Sequence, residues 1–328
     1  MISSIPKSEL KTPVLLLIFN RPETTKLVFE QIRKVKPSYL YVASDGPRTG
    51  NENDKKVVAE TRNWVLQNVD WDCQVETLFR SENLGCANAV SSAIDWFFNN
   101  VEMGIILEDD CLPDDSFFDF CEELLIKYQY DTRIMHITGT NLLSDYKREA
   151  DYSYYFSKYA NVWGWASWKR AWQKYDLDIK SFSEYREKGY LKDYFSYYPA
   201  YVSRLKWYSE VLNIKGDERN FDTWDYQWCF TCSSNSGLSI VPKKNLIKNI
   251  GFGGSATHTN VVDKFFSQDT EKMESPLVHP NFVLVDQQHD LVYEKKVFGG
   301  NFLAFKTILI DFLRKIILKR KVSYLKYL

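Results

Sequence analysis

Three carboxylates in a row, Glu108-Asp109-Asp110, stand directly after the apolar run Met103-Gly104-Ile105-Ile106-Leu107. Adjacent like charges repel, and a closing site strips off their water, so something positive has to offset them. A hard divalent cation, Mn²⁺ or Mg²⁺, bound through carboxylate oxygen and shared with a diphosphate, is the simplest candidate. The plainer reading is an exposed acidic turn ahead of a helix that begins near Pro113, with Asp114 and Asp115 favouring that helix's N-terminus. The place of the triplet behind a buried strand favours the cation.

Two further polar clusters follow apolar runs in the same way. Asn20-Arg21-Pro22 comes after residues 14–19, and Ser44-Asp45-Gly46-Pro47 after residues 39–43. Arg21 either meets a ligand or pairs with a surface acid; Asp45 either meets a ligand or caps its turn, a common use of Asp before Gly. Asn83 and Gly85 lie in Arg80-Ser81-Glu82-Asn83-Leu84-Gly85, a loop-to-helix turn that either approaches a ligand or is purely structural. Further on, Asn161-Val162-Trp163-Gly164-Trp165-Ala166-Ser167-Trp168 and Phe221-Asp222-Thr223-Trp224-Asp225-Tyr226-Gln227-Trp228 gather aromatic rings. Trp163, Trp165 and Trp168 either stack on a flat ligand face or form the core of a helix start. Residues 251–259 are glycine-rich and carry His258, which either closes over a ligand or is incidental.

The elements that must position these residues are legible in the first half. Short apolar runs at 14–19, 39–43 and 103–107 predict strands, and Val75, Leu78 and Phe79 suggest another. Between them fall helix faces: Val28, Ile32 and Val35; Val58, Trp64 and Val65; Ala89, Val90, Ala93, Ile94 and Phe97; then Phe117, Cys121, Leu124 and Leu125. Pro22 suits the first position of the first helix, and Pro37 closes that segment. Strands separated by helices imply a parallel sheet with helices on both faces, and ligands of such sheets bind at the carboxyl ends of the strands. The three polar clusters therefore converge on one rim. From about residue 150 the alternation fades.

A chain of 328 residues, 45% of them hydrophobic, can bury one large core, which predicts one catalytic domain with elaborations. The formal net charge of −1 supplies no global field to collect nucleic acid, so any charged-ligand site is local. Met1-Ile2-Ser3-Ser4-Ile5-Pro6-Lys7 lacks the apolar stretch of a secretion signal, and no segment is long enough without charge to span a bilayer, which predicts a cytoplasmic protein. Cys229 and Cys232 form a C-x-x-C, but without a second pair or a suitably spaced histidine they read as buried free thiols. In the tail, Phe305, Leu309, Phe312, Leu313, Ile316 and Ile317 fall on one helical face, surrounded by Lys306, Arg314, Lys315, Lys319, Arg320 and Lys321. Residues 302–328 thus either lie on an anionic membrane or dock on protein.

Residues 14–21, Ser44-Asp45-Gly46, Glu108-Asp109-Asp110, Gly164-Trp165, Trp224-Asp225 and the glycine-rich stretch after Ile240-Val241-Pro242 share an order and approximate spacing. In these motifs, over residues 12–260, the chain resembles the N-acetylglucosaminyltransferase I-like enzymes, inverting glycosyltransferases of family 13 whose bacterial relatives act on surface polysaccharides. The resemblance implies a GT-A fold of the α/β class: a mostly parallel, Rossmann-like sheet with helices on both faces. It implies a catalytic domain at 1–300, with a nucleotide-binding half at 12–150 and an aromatic-rich acceptor-side half at 151–300. The basic amphipathic segment 301–328 departs from the pattern.

By the same resemblance Arg21 and Asp45 hold the nucleotide, and Asp110 ligates the Mn²⁺ or Mg²⁺ that carries the diphosphate. Glu108 and Asp109 contact ribose and donor sugar; Asp225 is the catalytic base. Asn83, Gly85, Trp165, Trp224 and His258 fall on the donor side. The expected partners are a nucleotide-sugar donor, such as UDP-GlcNAc, and a glycan or lipid-linked acceptor, with the enzyme cytoplasmic or peripheral on the inner face of an anionic membrane and no nucleic acid. Two other functions remain open. A sugar nucleotidyltransferase lacks its expected Gly-rich, Lys/Arg-bearing signature after the first strand; a non-enzymatic membrane- or glycan-binding protein leaves the acidic triplet unexplained.

Overall fold

The computed structural model describes residues 9–146, 151–195, 197–212, 222–251 and 268–298. His258 and the whole of 301–328 lie outside them. The first half alternates β1 (Val14–Ile18), α1 (Pro22–Val35), β2 (Tyr39–Ser44), α2 (Glu52–Gln67), β3 (Gln74–Phe79), α3 (Gly85–Asn100) and β4 (Met103–Glu108). There follow β5 (Cys111–Pro113), α4 (Ser116–Lys127), β6 (Ile134–Thr138), β7 (Tyr154–Ser157), β8 (Trp165–Trp168) and α5 (Lys169–Trp172). The remainder is α6 (Phe182–Glu187), α7 (Tyr190–Tyr194), α8 (Tyr198–Leu212), α9 (Asp225–Ser234), β9 (Leu238–Pro242), β10 (Ile247–Asn249) and α10 (Gln287–Phe298).

Local chemistry sets the ends of these elements. Pro22 opens α1 where a missing N–H costs nothing, and Lys36 closes it in the left-handed conformation. The Asn51 side chain accepts the Asp54 amide at 3.1 Å and so caps α2.

Eight strands form one sheet in the order β3-β2-β1-β4-β8-β6-β9-β7. β1 to β4 are mutually parallel where they pair, as the alternation predicts. β8 then inserts antiparallel to both β4 and β6, β9 lies parallel to β6, and β7 closes the edge antiparallel to β9. Both faces are covered. On β1, Val14, Leu16 and Ile18 pack with Val28, Phe29 and Ile32 of α1 and with Phe117 and Leu124 of α4. Leu15 and Leu17 turn the other way, against Ala93, Ile94 and Phe97 of α3 and the rings of Trp165, Trp172 and Trp228. Burial on both sides explains why these strands read as unbroken apolar runs rather than as alternation. A separate core in the second half gathers Phe182, Leu205, Tyr208, Phe230 and Tyr293 from α6, α8, α9 and α10.

Candidate active site

The carboxyl ends of β1, β2, β3 and β4 face one cleft of about 750 Å³, lined by residues of all three sequence clusters. At the end of β1, Arg21 donates from Nη1 to Asp110 Oδ2 at 2.7 Å and stands 3.6 Å from Asp109 Oδ1. The amide of Phe19 donates to Asp109 Oδ2 at 3.3 Å, so the turn after β1 is sewn to the turn after β4. One guanidinium therefore faces three acids. Burial, then the charges of Asp110, Asp109 and Asp225, push the Glu108 carboxyl well above its usual range, with Arg21 opposing. Asp109 is pushed up to about 7, first by burial and then by Asp110, against the pull of Arg21. Proton uptake or a cation relieves that strain.

The β5–β10 ribbon places the second half of the chain against the triplet. Its antiparallel pairing sets Asn249 opposite Cys111, and the amide of Ile250 donates to the Asp110 carbonyl at 2.8 Å. Any Cβ on Gly251 would collide with the Asp110 carboxylate, so glycine is what lets the chain pass there. Asp110 offers hard carboxylate oxygens at the cleft wall, the donor type Mg²⁺ and Mn²⁺ take. Among the described residues no three His, Cys, Asp or Glu side chains converge as a ready-made metal cage. Such ions are commonly held by one or two carboxylates with substrate phosphates supplying the rest.

Asp45 gathers the other wall. Its Oδ1 accepts from the amides of Gly46 at 2.9 Å and Leu84 at 3.0 Å, and its Oδ2 from Asn83 Nδ2 at 2.9 Å. Burial raises its pKa against the lowering effect of the Leu84, Gly46 and Gly85 amides. Gly46 has no room for a side chain, because the Glu82 backbone lies where a Cβ would be. Asp45, Asn83 and Gly85 are thus one tight joint between the ends of β2 and β3, and all three line the cleft.

No protein family matches the sequence, and no curated protein matches it either. Among solved structures, similarity is partial. A UDP-glucose pyrophosphorylase complexed with UDP-glucose is 10% identical, covering 73% of this chain and 93% of its own, at a TM-score of 0.37. Mouse xyloside xylosyltransferase 1 in apo form is 12% identical, covering 66% and 80%, at 0.31. The glycosyltransferase GlyE of Streptococcus pneumoniae TIGR4 is 9% identical, covering 69% and 63%, at 0.30. The chemistry of the cleft is therefore taken from its own residues.

Arg21, Asp45, Asn83, Gly85, Glu108, Asp109 and Asp110, all singled out in the sequence, line the one cleft. Trp165 and Trp224 do not. Trp165 is wholly buried in β8 and Trp224 nearly so, their rings stacked 5.7 Å apart beneath the site. Of the three tryptophans in residues 161–168, Trp163 alone is on the cleft wall. Asp225 opens α9; its charge reaches Glu108, although its side chain is not part of the wall itself. Thr223 Oγ1 donates to it.

Charged wall and support residues also escaped the sequence reading. Arg48 and Arg80 line the cleft, the first paired with Asp54 and the second donating to Ser92 Oγ at 2.7 Å. Arg62 of α2 ties the ends of β2 and β3 together through the carbonyls of Asp45 and Arg80, each at 2.8 Å. Asp222 also lines the cleft. An arginine within a helix or a polar loop carries no signal of its partner, whereas Asp222 stood three residues from Asp225 in a stretch already marked by its aromatics.

Proposed function

We propose that this protein transfers a sugar, with inversion, from a nucleotide diphosphate donor such as UDP-GlcNAc to a hydroxyl of a surface glycan or lipid-linked acceptor. The observation that carries the reading is the crowding of acid at the end of β4: buried Asp109 and half-buried Glu108 and Asp110 face one guanidinium on a cleft large enough for a nucleotide sugar. A purely structural turn has no reason to crowd three carboxylates, one of them buried, against a single guanidinium.

In this reading Asp110 is the ligand of Mn²⁺ or Mg²⁺, and the cation, when bound, offsets the negative charge that grows on the leaving nucleotide. Arg21, beside Asp110, orients the diphosphate and keeps the triplet from repelling it. Asp45 and Asn83 fix the wall on which the nucleoside rests, and Trp163 presents a ring to a sugar face. The acceptor hydroxyl attacks the anomeric carbon from the side opposite the phosphate, its oxygen forming the new bond as the carbon–oxygen bond to the diphosphate breaks. Asp225 takes the hydroxyl proton. The basic sequence 301–328 is proposed to hold the enzyme near an anionic membrane surface.

Transfer and donor hydrolysis, measured over a panel of nucleotide sugars with Mn²⁺ or EDTA, test the reading. Wild type should turn over at least one donor only with the cation, and Asp225→Asn should lower turnover by about two to four powers of ten while donor affinity and Tm stay near wild type. Wild-type turnover in Asp225→Asn removes it as the base. Pyrophosphate release from a nucleoside triphosphate and a sugar phosphate, without transfer, contradicts the reading as a whole.

A further inference from the structure

Asp222 belongs to the segment leading into α9, yet its carboxylate oxygens are engaged 136 and 135 positions earlier in the chain. Oδ2 accepts from the amide of Cys86 and Oδ1 from that of Ala87, each at 2.7 Å. These are amides of the first turn of α3, which have no partner within the helix, and Leu84 at the cap position offers no side-chain bond. A carboxylate arriving from elsewhere both satisfies them and meets the positive end of the helix dipole. Gly85 makes this possible twice over: its φ of +76° suits glycine, and a Cβ there would stand 2.7 Å from Asp222 Oδ2.

Beyond Asp222 the chain is held at every step. Thr223 donates its hydroxyl to Asp225 and its carbonyl accepts Gln227 Nε2 at 2.6 Å. Trp224 is stacked on Trp165, and its carbonyl accepts the Tyr175 hydroxyl at 3.1 Å. Asp225 is then the first residue of α9. We infer that Asp222 is a positioning residue: it clasps the lead-in of α9 to the N-terminus of α3 and thereby fixes the place of the Asp225 carboxylate at the start of α9. This inference rests on Asp225 being the base proposed above.

If Asp222 acts through Asp225, the two substitutions cannot be additive. The full chain with UDP-GlcNAc, or whichever nucleotide sugar the panel shows it to use, and Mn²⁺ provides the assay, with kcat and donor KM read separately. Asp222→Ala should lower kcat by about 10- to 100-fold and change donor KM by less than about threefold, since a shift of about 1 Å in a reacting group is felt in turnover. In the Asp225→Asn background the same substitution should change kcat by less than about twofold. Asp222→Asn keeps one acceptor oxygen and should lose less, which covers the case in which the alanine variant does not fold. Equal losses in both backgrounds, or wild-type kcat in both single Asp222 variants, overturn the clasp. An Asp225→Asn variant with wild-type kcat overturns the underlying reading instead, a separate result.

Discussion

His136, in the middle of β6, is wholly buried among rings. It stacks on Trp165 at 5.1 Å, its Nδ1 accepts from Trp228 Nε1 at 3.1 Å, and its Nε2 donates to the Asn161 carbonyl at 2.9 Å. An acceptor at Nδ1 and a donor at Nε2 define the neutral ring, and burial first of all lowers its pKa to about 4, against an opposing pull from the Asn161 carbonyl. Unfolded, the ring titrates near 6.5, so between about 4 and 6.5 the unfolded chain binds more protons than the folded one. Stability attributable to this group is therefore complete above about 6.5 and declines as pH falls towards 4, by about 3 kcal/mol across the window. Thermal melts of wild type and His136→Gln from pH 7 to 4 should converge as the pH falls; parallel curves contradict the assignment. At this scale the sequence marked residues well and partners poorly. Asp45, Asn83 and Gly85 were visible as turn formers, but that Asp45 receives the Asn83 amide is a fact of two strands lying side by side. Trp165 and Trp224 were aromatic enough for a sugar platform, and in the structure their rings stack within the core.

At the scale of elements, β1, β2 and β4 were legible because both their faces are buried, leaving apolar runs and polar ends. β8 was not. Trp165-Ala166-Ser167-Trp168 is entirely buried but too short and too mixed to declare a strand, and its antiparallel place between β4 and β6 depends on pairings made far along the chain. Gly164 makes the entry to β8 possible: its φ is +58°, its carbonyl accepts the Gly139 amide at 2.8 Å, and a Cβ would run into the Ile247 side chain. It also separates Trp163 on the cleft from Trp165 in the core. Gly164→Ala should lower unfolding stability by about 1–3 kcal/mol in urea, combining backbone strain with displacement of β10. Unchanged stability would show that the turn tolerates a side chain and that β10 does not depend on it.

Across the whole molecule, one sheet draws strands from both halves of the chain, and the acidic triplet sits close to the junction between its parallel strands and the antiparallel β8. Asp222 bonding to α3, the β5–β10 ribbon beside Asp110 and Trp163 on the wall are places where late sequence closes on the early cleft. Among the described residues no helix is long and apolar enough to cross a membrane. With 42 basic and 43 acidic residues the long-range field is weak, so attraction of an anionic nucleotide has to come from the cleft itself. At the triplet three carboxylates meet the Arg21 guanidinium, and the proposed cation would offset the repulsion an entering anion meets there. Titration calorimetry of UDP into the full chain, with Mn²⁺ and with EDTA, measures this directly. Binding should weaken by at least about tenfold in EDTA, about 1.4 kcal/mol, and by a similar factor for Asp110→Ala in the presence of Mn²⁺. Equal affinity for UDP with Mn²⁺ and with EDTA would contradict a metal-bridged nucleotide site.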